Sequence, residues 1–209
     1  MMTIRTASPD DAPRLAEIYA YYVKNTAVSF EYDIPTTAEF RRRIIKTLRQ
    51  YPYFVVEDTG IVQGYTYAGP FMPRAAYAWS CELSVYVAHE ARHGGFGRML
   101  YERMEKTLYS MGIKNLYACI GYPEKEDEYL TRDSFNFHKH LGFKQIGYFR
   151  HCGYKFGRPY SMVWLEKVIA RAELSPAPVQ PYGKNKLTHK NGSDASEPFL
   201  CVCMLPTRR

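Results

Sequence analysis

The sequence predicts an α+β fold in which a mixed sheet is covered by helices. Three observations carry that prediction. Helical and strand periodicities alternate through about residue 168, and several strand-like runs follow one another between residues 53 and 87. The chain has 209 residues, enough for one compact domain or for one domain with a tail. At 46% hydrophobic and 23% charged it can bury a core, which excludes a wholly disordered or collagen-like chain.

Each element has a local reason. Thr3 to Thr6 reads as a short strand. Ser8-Pro9-Asp10-Asp11 starts a helix, with serine as cap, proline at the first helical position and acids in the first turn. Leu15, Ile18, Tyr19, Tyr22 and Val23 then share one helical face. A second helix over about 37–50 sets Phe40, Ile44 and Leu48 on one side. Strands follow at about 53–57, 62–68 and 80–87, the first two joined by an Asp-Thr-Gly turn. A helix at 95–110, a strand at 115–120, a short helix at 133–141 and strands near 145–150 and 160–166 complete the series. There is no internal repeat.

From about residue 170 the composition turns to Pro, Ser, Asn and Lys without a sustained period, so 170–209 is expected to be a largely disordered tail behind a domain at 1–169. Lysine and arginine number 28 against 21 acids, a net charge of +7, of which the tail carries +3 and the body +4. That division speaks against a basic nucleic-acid-binding face on the body, and nucleic acid is not expected as a partner. Arg41-Arg42-Arg43 is read as a solvated helix face. No apolar run approaches the roughly 18 residues of a membrane span, and the start MMTIRTASPDD has no apolar signal region, so a cytoplasmic protein without a membrane partner is expected. Five widely spaced cysteines without a C-x-x-C pair make a disulfide framework or zinc ribbon unlike this chain. His89 and His93 straddle a glycine loop rather than one helix face, and no metal is assigned.

The most specific stretch is ELSVYVAHEARHGGFGRMLYERM at 82–104. In its strand Leu83, Val85 and Val87 face one way and Glu82, Ser84 and Tyr86 the other. The loop Arg92-His93-Gly94-Gly95-Phe96-Gly97-Arg98 then opens a helix whose Leu100, Met104, Leu108 and Met111 form a buried stripe. A glycine turn between a strand and a helix start points backbone N–H groups outward at the positive end of the helix dipole, a geometry that binds phosphate. A P-loop would need Gly-Lys-Ser/Thr, which is absent; a dinucleotide fingerprint would need a third glycine at Leu100 and an acid near Tyr117.

The pattern Arg/Gln-x-x-Gly-x-Gly/Ala after a valine-rich strand remains, and with it the chain resembles the GNAT N-acetyltransferase superfamily. The resemblance sharpens toward phosphinothricin and methionine-sulfoximine acetyltransferases through IRTASPDDAPRLAEIYAYYV, VSFE, GYTYAGPF, RAAYAWSCELSVYV, ARHGGFG, FHKHLGF and GYKFGRPYSMVWLE, over residues 2–168. It implies a mostly antiparallel sheet of six or seven strands flanked by about four helices, with a bulged strand at 80–87 splayed from its neighbour.

It also implies roles. Acetyl-CoA is the expected cosubstrate, its pyrophosphate on the amides of Arg92, His93, Gly94, Gly95, Phe96, Gly97 and Arg98, its pantetheine along Val85, Tyr86 and Val87, with Ser134 nearby. Glu82 matches the general base and His138 the group near the sulfur, able to protonate the leaving thiolate. Arg74 and Tyr77 match substrate-contacting positions, a guanidinium fork suiting a carboxylate or phosphinate, and Phe30 and Glu31 lie in the loop over the acceptor site. Thr131 stands where the family usually has an asparagine that contacts pantetheine, so that contact stays unassigned. Cys119 is read as a small buried hydrophobe. The implied reaction is direct transfer to the α-amine of a small amino-acid-like acceptor, without an acyl-enzyme, in a homodimer. The rival readings are another amine or a peptide N-terminus as acceptor, and a non-catalytic CoA-binding or docking module.

Overall fold

The computed structural model describes residues 1–185. Seven strands form one sheet in the order β1-β2-β3-β4-β5-β7-β6: β1 Thr3–Thr6, β2 Tyr53–Asp58, β3 Ile61–Pro70, β4 Ser80–Val87, β5 Asn115–Tyr122, β6 Lys144–Lys155 and β7 Arg158–Val168. All neighbours run antiparallel except β4 and β5. The helices are α1 Ala12–Asn25, α2 Thr37–Leu48, α3 Phe96–Met111 and α4 Asp133–His140.

The strand and helix starts follow the local signals. Ser8 closes a capping box with Asp11 before a 3-10 turn leads into α1, and Thr36 caps α2 through the amide of Glu39. The sheet is buried on both faces in its middle. On β2, Phe54 and Val56 join the core under α3, while Tyr53 and Val55 join the core under α1 and α2. Leu100, Met104 and Leu108 of α3 are fully buried, and truncating such a side chain to alanine costs about 2–5 kcal/mol.

The feature that positions the site is a fork. β4 pairs with β3 over its whole length from Cys81 to Val87, but with β5 only from Ser80 to Glu82. Beyond Glu82 the parallel pair separates. The expected splay is present, and it arises without a register shift in the β3–β4 ladder; the shifts lie at Val56/Glu57 in β2 and at two places in β6.

Two boundaries depart from expectation. β6 and β7 run on to Lys155 and back from Arg158, beyond the expected strands near 145–150 and 160–166, because Phe156 and Gly157 both take positive φ and turn the hairpin without an Asn-Gly signature. The expected tail is packed in its first part. Glu173 pairs with Lys114 at 2.9 Å, Ala177 O accepts from Trp79 Nε1, and Gln180 and Tyr182 donate backbone bonds to Met111 and Gln50. The Tyr182 ring meets Phe54 edge to face and its hydroxyl lies 2.8 Å from Thr6 Oγ1. These apolar and polar contacts offset the ordering entropy that composition alone weighed. The remainder of the expected tail, from residue 186, lies outside the described residues. Among the described residues no helix is long and apolar enough to cross a membrane.

Candidate active site

The fork separates two regions. On the side of the glycine loop, His93 and Gly95 take φ of 64° and 80°, which turns the chain sharply into α3. Gly95 is the N-cap of that helix, and no side chain caps it. An added Cβ at Gly95 would meet nothing within 4 Å, so the loop is open to that side. Those amides stand at the positive end of a 16-residue helix dipole.

The loop is held from behind. Arg92 lies over the rings of both Tyr21 and Tyr22, 5.4 Å from each centroid, and Tyr21 stacks on His89 at 4.2 Å. Tyr22 Oη donates to Val87 O at 2.6 Å and fixes the end of β4. Arg98 pairs with Glu102 along the helix. Val85 and Val87 turn their side chains to the core under α3, as the period of two requires.

On the other face of the sheet a cavity of about 210 Å³ opens between the α1–α2 loop, α2 and the strands. Glu82, Ser84 and Tyr86 of β4 line it, as their shared face predicts. Phe30 and Glu31 line it from the loop. Its other walls come from α2 (Phe40, Arg43, Lys46), β3 (Tyr67), β5 (Cys119, Gly121) and Met162 of β7. Cys119, expected as a buried hydrophobe beside the cofactor cleft, is half-buried and lines the cavity; apart from Arg43 and Lys46, the other walls have no local signal that assigns them to it. The signal for Arg43 and Lys46 was there: they follow Phe40 at helical spacings of three, so the basic run is not all solvated.

The charges in the cavity are arranged. Arg43 bonds to Glu39 one turn back and to Glu31 at 3.1 Å across the cavity wall, and lies over the Phe40 ring. Burial pushes the Glu31 carboxyl above its usual range, with Arg43 pulling the other way. Burial would lower the pKa of Arg43, and its two carboxylate partners more than reverse that.

Other expected site residues lie elsewhere. Arg74 and Tyr77 sit on an exposed 3-10 turn and are not among the cavity-lining residues; Tyr77 packs edge to face on Phe71. His138 is buried in the core at 3% exposure. Its Nδ1 donates to Ser134 O at 2.7 Å, which leaves Nε2 to accept from Tyr101 Oη at 2.8 Å. Burial pushes its pKa down to about 4. Both nitrogens are thus occupied and the ring is neutral, an arrangement opposed to the expected proton donor. Thr131 Oγ1 accepts from the amide of Asp133 at 3.4 Å, and the loop before it is organised by Asp127, which accepts from the amides of Tyr129 and Leu130 and from Tyr160 Oη. Among the described residues no group of three His, Cys, Asp or Glu side chains could hold a metal ion.

A family model, an acetyltransferase (GNAT) domain, matches residues 4–164. The chain belongs to the GNAT family. It is 31% identical over 178 residues to phosphinothricin N-acetyltransferase of Streptomyces viridochromogenes, covering 85% of this chain and 93% of that one. It is 34% identical over 174 residues to phosphinothricin N-acetyltransferase of Alcaligenes faecalis, 83% of each. Among solved structures, the GNAT phosphinothricin acetyltransferase of Sinorhizobium meliloti, in complex with acetyl-CoA, superposes with a TM-score of 0.75 at 29% identity, covering 87% of this chain and 98% of that one. The GNAT fold, seven strands and four helices, is as the resemblance implied. The start of α3, which no side chain caps, and the stretch of β4 beyond Glu82 that does not pair with β5 fit acetyl-CoA, the cosubstrate of this acetyltransferase: the former would offer donors to a pyrophosphate, the latter a strand edge to pantetheine.

Proposed function

We propose that this acetyltransferase moves acetyl from acetyl-CoA to the α-amine of a small amino-acid-like acceptor of the phosphinothricin, methionine sulfoximine or methionine sulfone type. One observation carries the reading: Glu82 is the last residue of β4 paired with β5, so it lines the acceptor cavity at the point where the fork opens toward the glycine loop. Acceptor and thioester then approach from opposite faces of one strand.

The cavity supports a small acceptor. Its 210 Å³ is below the roughly 300–1,000 Å³ of sites for drug-sized ligands. Its polar lining has two signs. Glu82 takes the proton of the ammonium, which frees the nitrogen lone pair; Arg43 and Lys46 face an anionic group of the acceptor. Phe30, Phe40 and Met162 cover the apolar part.

The thioester supplies an activated acetyl group. As the C–N bond forms the C–S bond breaks, and backbone N–H groups on the β5 side of β4 beyond Glu82, where the two strands no longer pair, donate to the carbonyl oxygen on which charge develops. The leaving sulfur takes its proton from solvent, since burial keeps His138 neutral and Ser134 O and Tyr101 Oη occupy its two ring nitrogens. No acyl-enzyme is required.

The test is a screen of amines with acetyl-CoA and a thiol-detecting dye. Thiol release with phosphinothricin, methionine sulfoximine or methionine sulfone, and weaker release with peptides, is the expected result. Release only with peptides or polyamines would refute this acceptor class, and acetyl-CoA binding without release for any amine would refute the enzyme.

A further inference from the structure

Segment 29–32, whose Ser29, Phe30 and Glu31 line one wall of the cavity, makes a set of contacts with a strand far away in sequence. Lys155 of β6 is 3% exposed, and its ammonium donates to Ser29 O at 2.6 Å. Tyr32 Oη donates to the neighbouring carbonyl of Tyr154 at 2.5 Å. The Phe30 ring packs against Gly153: a Cβ there would stand 2.3 Å from the ring, closer than side chains approach. From the other side Tyr19 Oη and Ser29 Oγ are 2.7 Å apart, and Ser29 Oγ accepts from the amide of Glu31.

These contacts do not follow from neighbouring elements being packed together. β6 is an exposed edge strand along most of its length, and Lys155 is its one buried residue. The strand is bent there by its register shift between Phe149 and Gly153, where His151 takes φ of 49°. The tight turn at Phe156-Gly157 then fixes its end. An ammonium is costly to bury, and this one is directed at a main-chain carbonyl of the cavity wall, with the Phe156 ring 5.3 Å away.

We propose that Gly153, Tyr154 and Lys155 clamp segment 29–32, with Lys155 the positioning residue that holds Phe30 and Glu31 in the acceptor cavity. Lys155 itself is not among the lining residues, so it acts through the loop and not on the substrate. The clamp ties acceptor affinity to the β6–β7 hairpin, while the glycine loop binds its cosubstrate independently. This inference rests on the cavity being the acceptor site.

The experiment compares Lys155→Met, which removes the donor, with Lys155→Gln, which keeps a donor without charge, and with Gly153→Ala. Two readouts are needed: steady-state kinetics with an acceptor found in the amine screen, and hydrogen exchange of the amides of 29–32. Lys155→Met is expected to raise the acceptor KM about tenfold with kcat and acetyl-CoA Kd changed by less than about twofold, and to speed exchange in that segment. Lys155→Gln restores part of both. Gly153→Ala, which displaces the Phe30 ring, raises the acceptor KM without loss of acetyl-CoA binding. Unchanged exchange in 29–32, or equal loss of kcat, acetyl-CoA binding and thermal stability in all three variants, would overturn the clamp. Faster exchange in a protein that acetylates no amine would leave the clamp standing and refute the acceptor reading instead.

Discussion

Tyr101 of α3 and His138 of α4 are joined by a 2.8 Å hydrogen bond inside the core, the phenol donating to the imidazole. Both side chains are buried, so α4 is attached to α3 through a polar pair that water does not reach. The stability of that arrangement depends on the ring staying neutral.

This sets a pH dependence with a definite sign. The folded pKa of His138 is about 4, below the ordinary 6.5, so the unfolded chain binds the extra proton first. Stability from this residue is complete above about pH 6.5 and is lost as the pH falls toward 4, up to about 3 kcal/mol across the window. Urea unfolding of wild type and His138→Gln at pH 7 and pH 5 checks it: the gap between the two proteins should narrow at pH 5. A gap that widens would show that the ring is charged in the fold.

Glu82→Gln keeps the size of the side chain and removes the base. We expect kcat to fall about 10²–10⁴-fold while acetyl-CoA binding is little changed, since general-base catalysis supplies a factor of that order. Calorimetric titration with acetyl-CoA beside steady-state thiol release separates the two. Wild-type turnover in this variant would remove Glu82 from the mechanism.

Gly95→Ala adds a Cβ that meets nothing within 4 Å but forces a φ of 80° on the residue that carries it. The left-handed conformation costs about 1–2 kcal/mol, so either the loop relaxes or the fold carries the strain. Acetyl-CoA binding should weaken about tenfold, with the acceptor KM little altered. A tenfold rise in the acceptor KM alone would contradict the division of the site by β4.

Arg43→Met tests the charge at the far side of the cavity. For acceptors bearing a carboxylate or phosphinate, KM should rise about tenfold or more, and for a neutral amine of similar size it should hardly move. Equal effects on both would assign Arg43 to holding Glu31 and the loop only.

Much of the site was legible because it is local. The glycine loop, the face shared by Glu82, Ser84 and Tyr86, and the Ser8 cap ahead of α1 follow from periodicity and turn chemistry within about ten residues. Arg43 was obscured by its neighbours, since Arg41 pairs with Asp10 at the surface while Arg43 turns inward. Residues 170–182 read as a tail because few of their side chains are apolar, and the two that pack on the core, Val179 and Tyr182, are partly buried against strands and helices formed much earlier.

The sequence by itself determined the fold class, the order of elements and the glycine turn that opens α3, since each is encoded by near neighbours whose spacing matches a helix or a strand. Tertiary structure alone decided what those faces meet. The bond from Lys155 to Ser29 spans 126 residues, the fork depends on where β5 stops pairing with β4, and His138 became a buried acceptor for Tyr101 because α4 settled against α3. A residue's periodicity says which way its side chain points, but its charge state and partners are set by the segment that folds back to cover it.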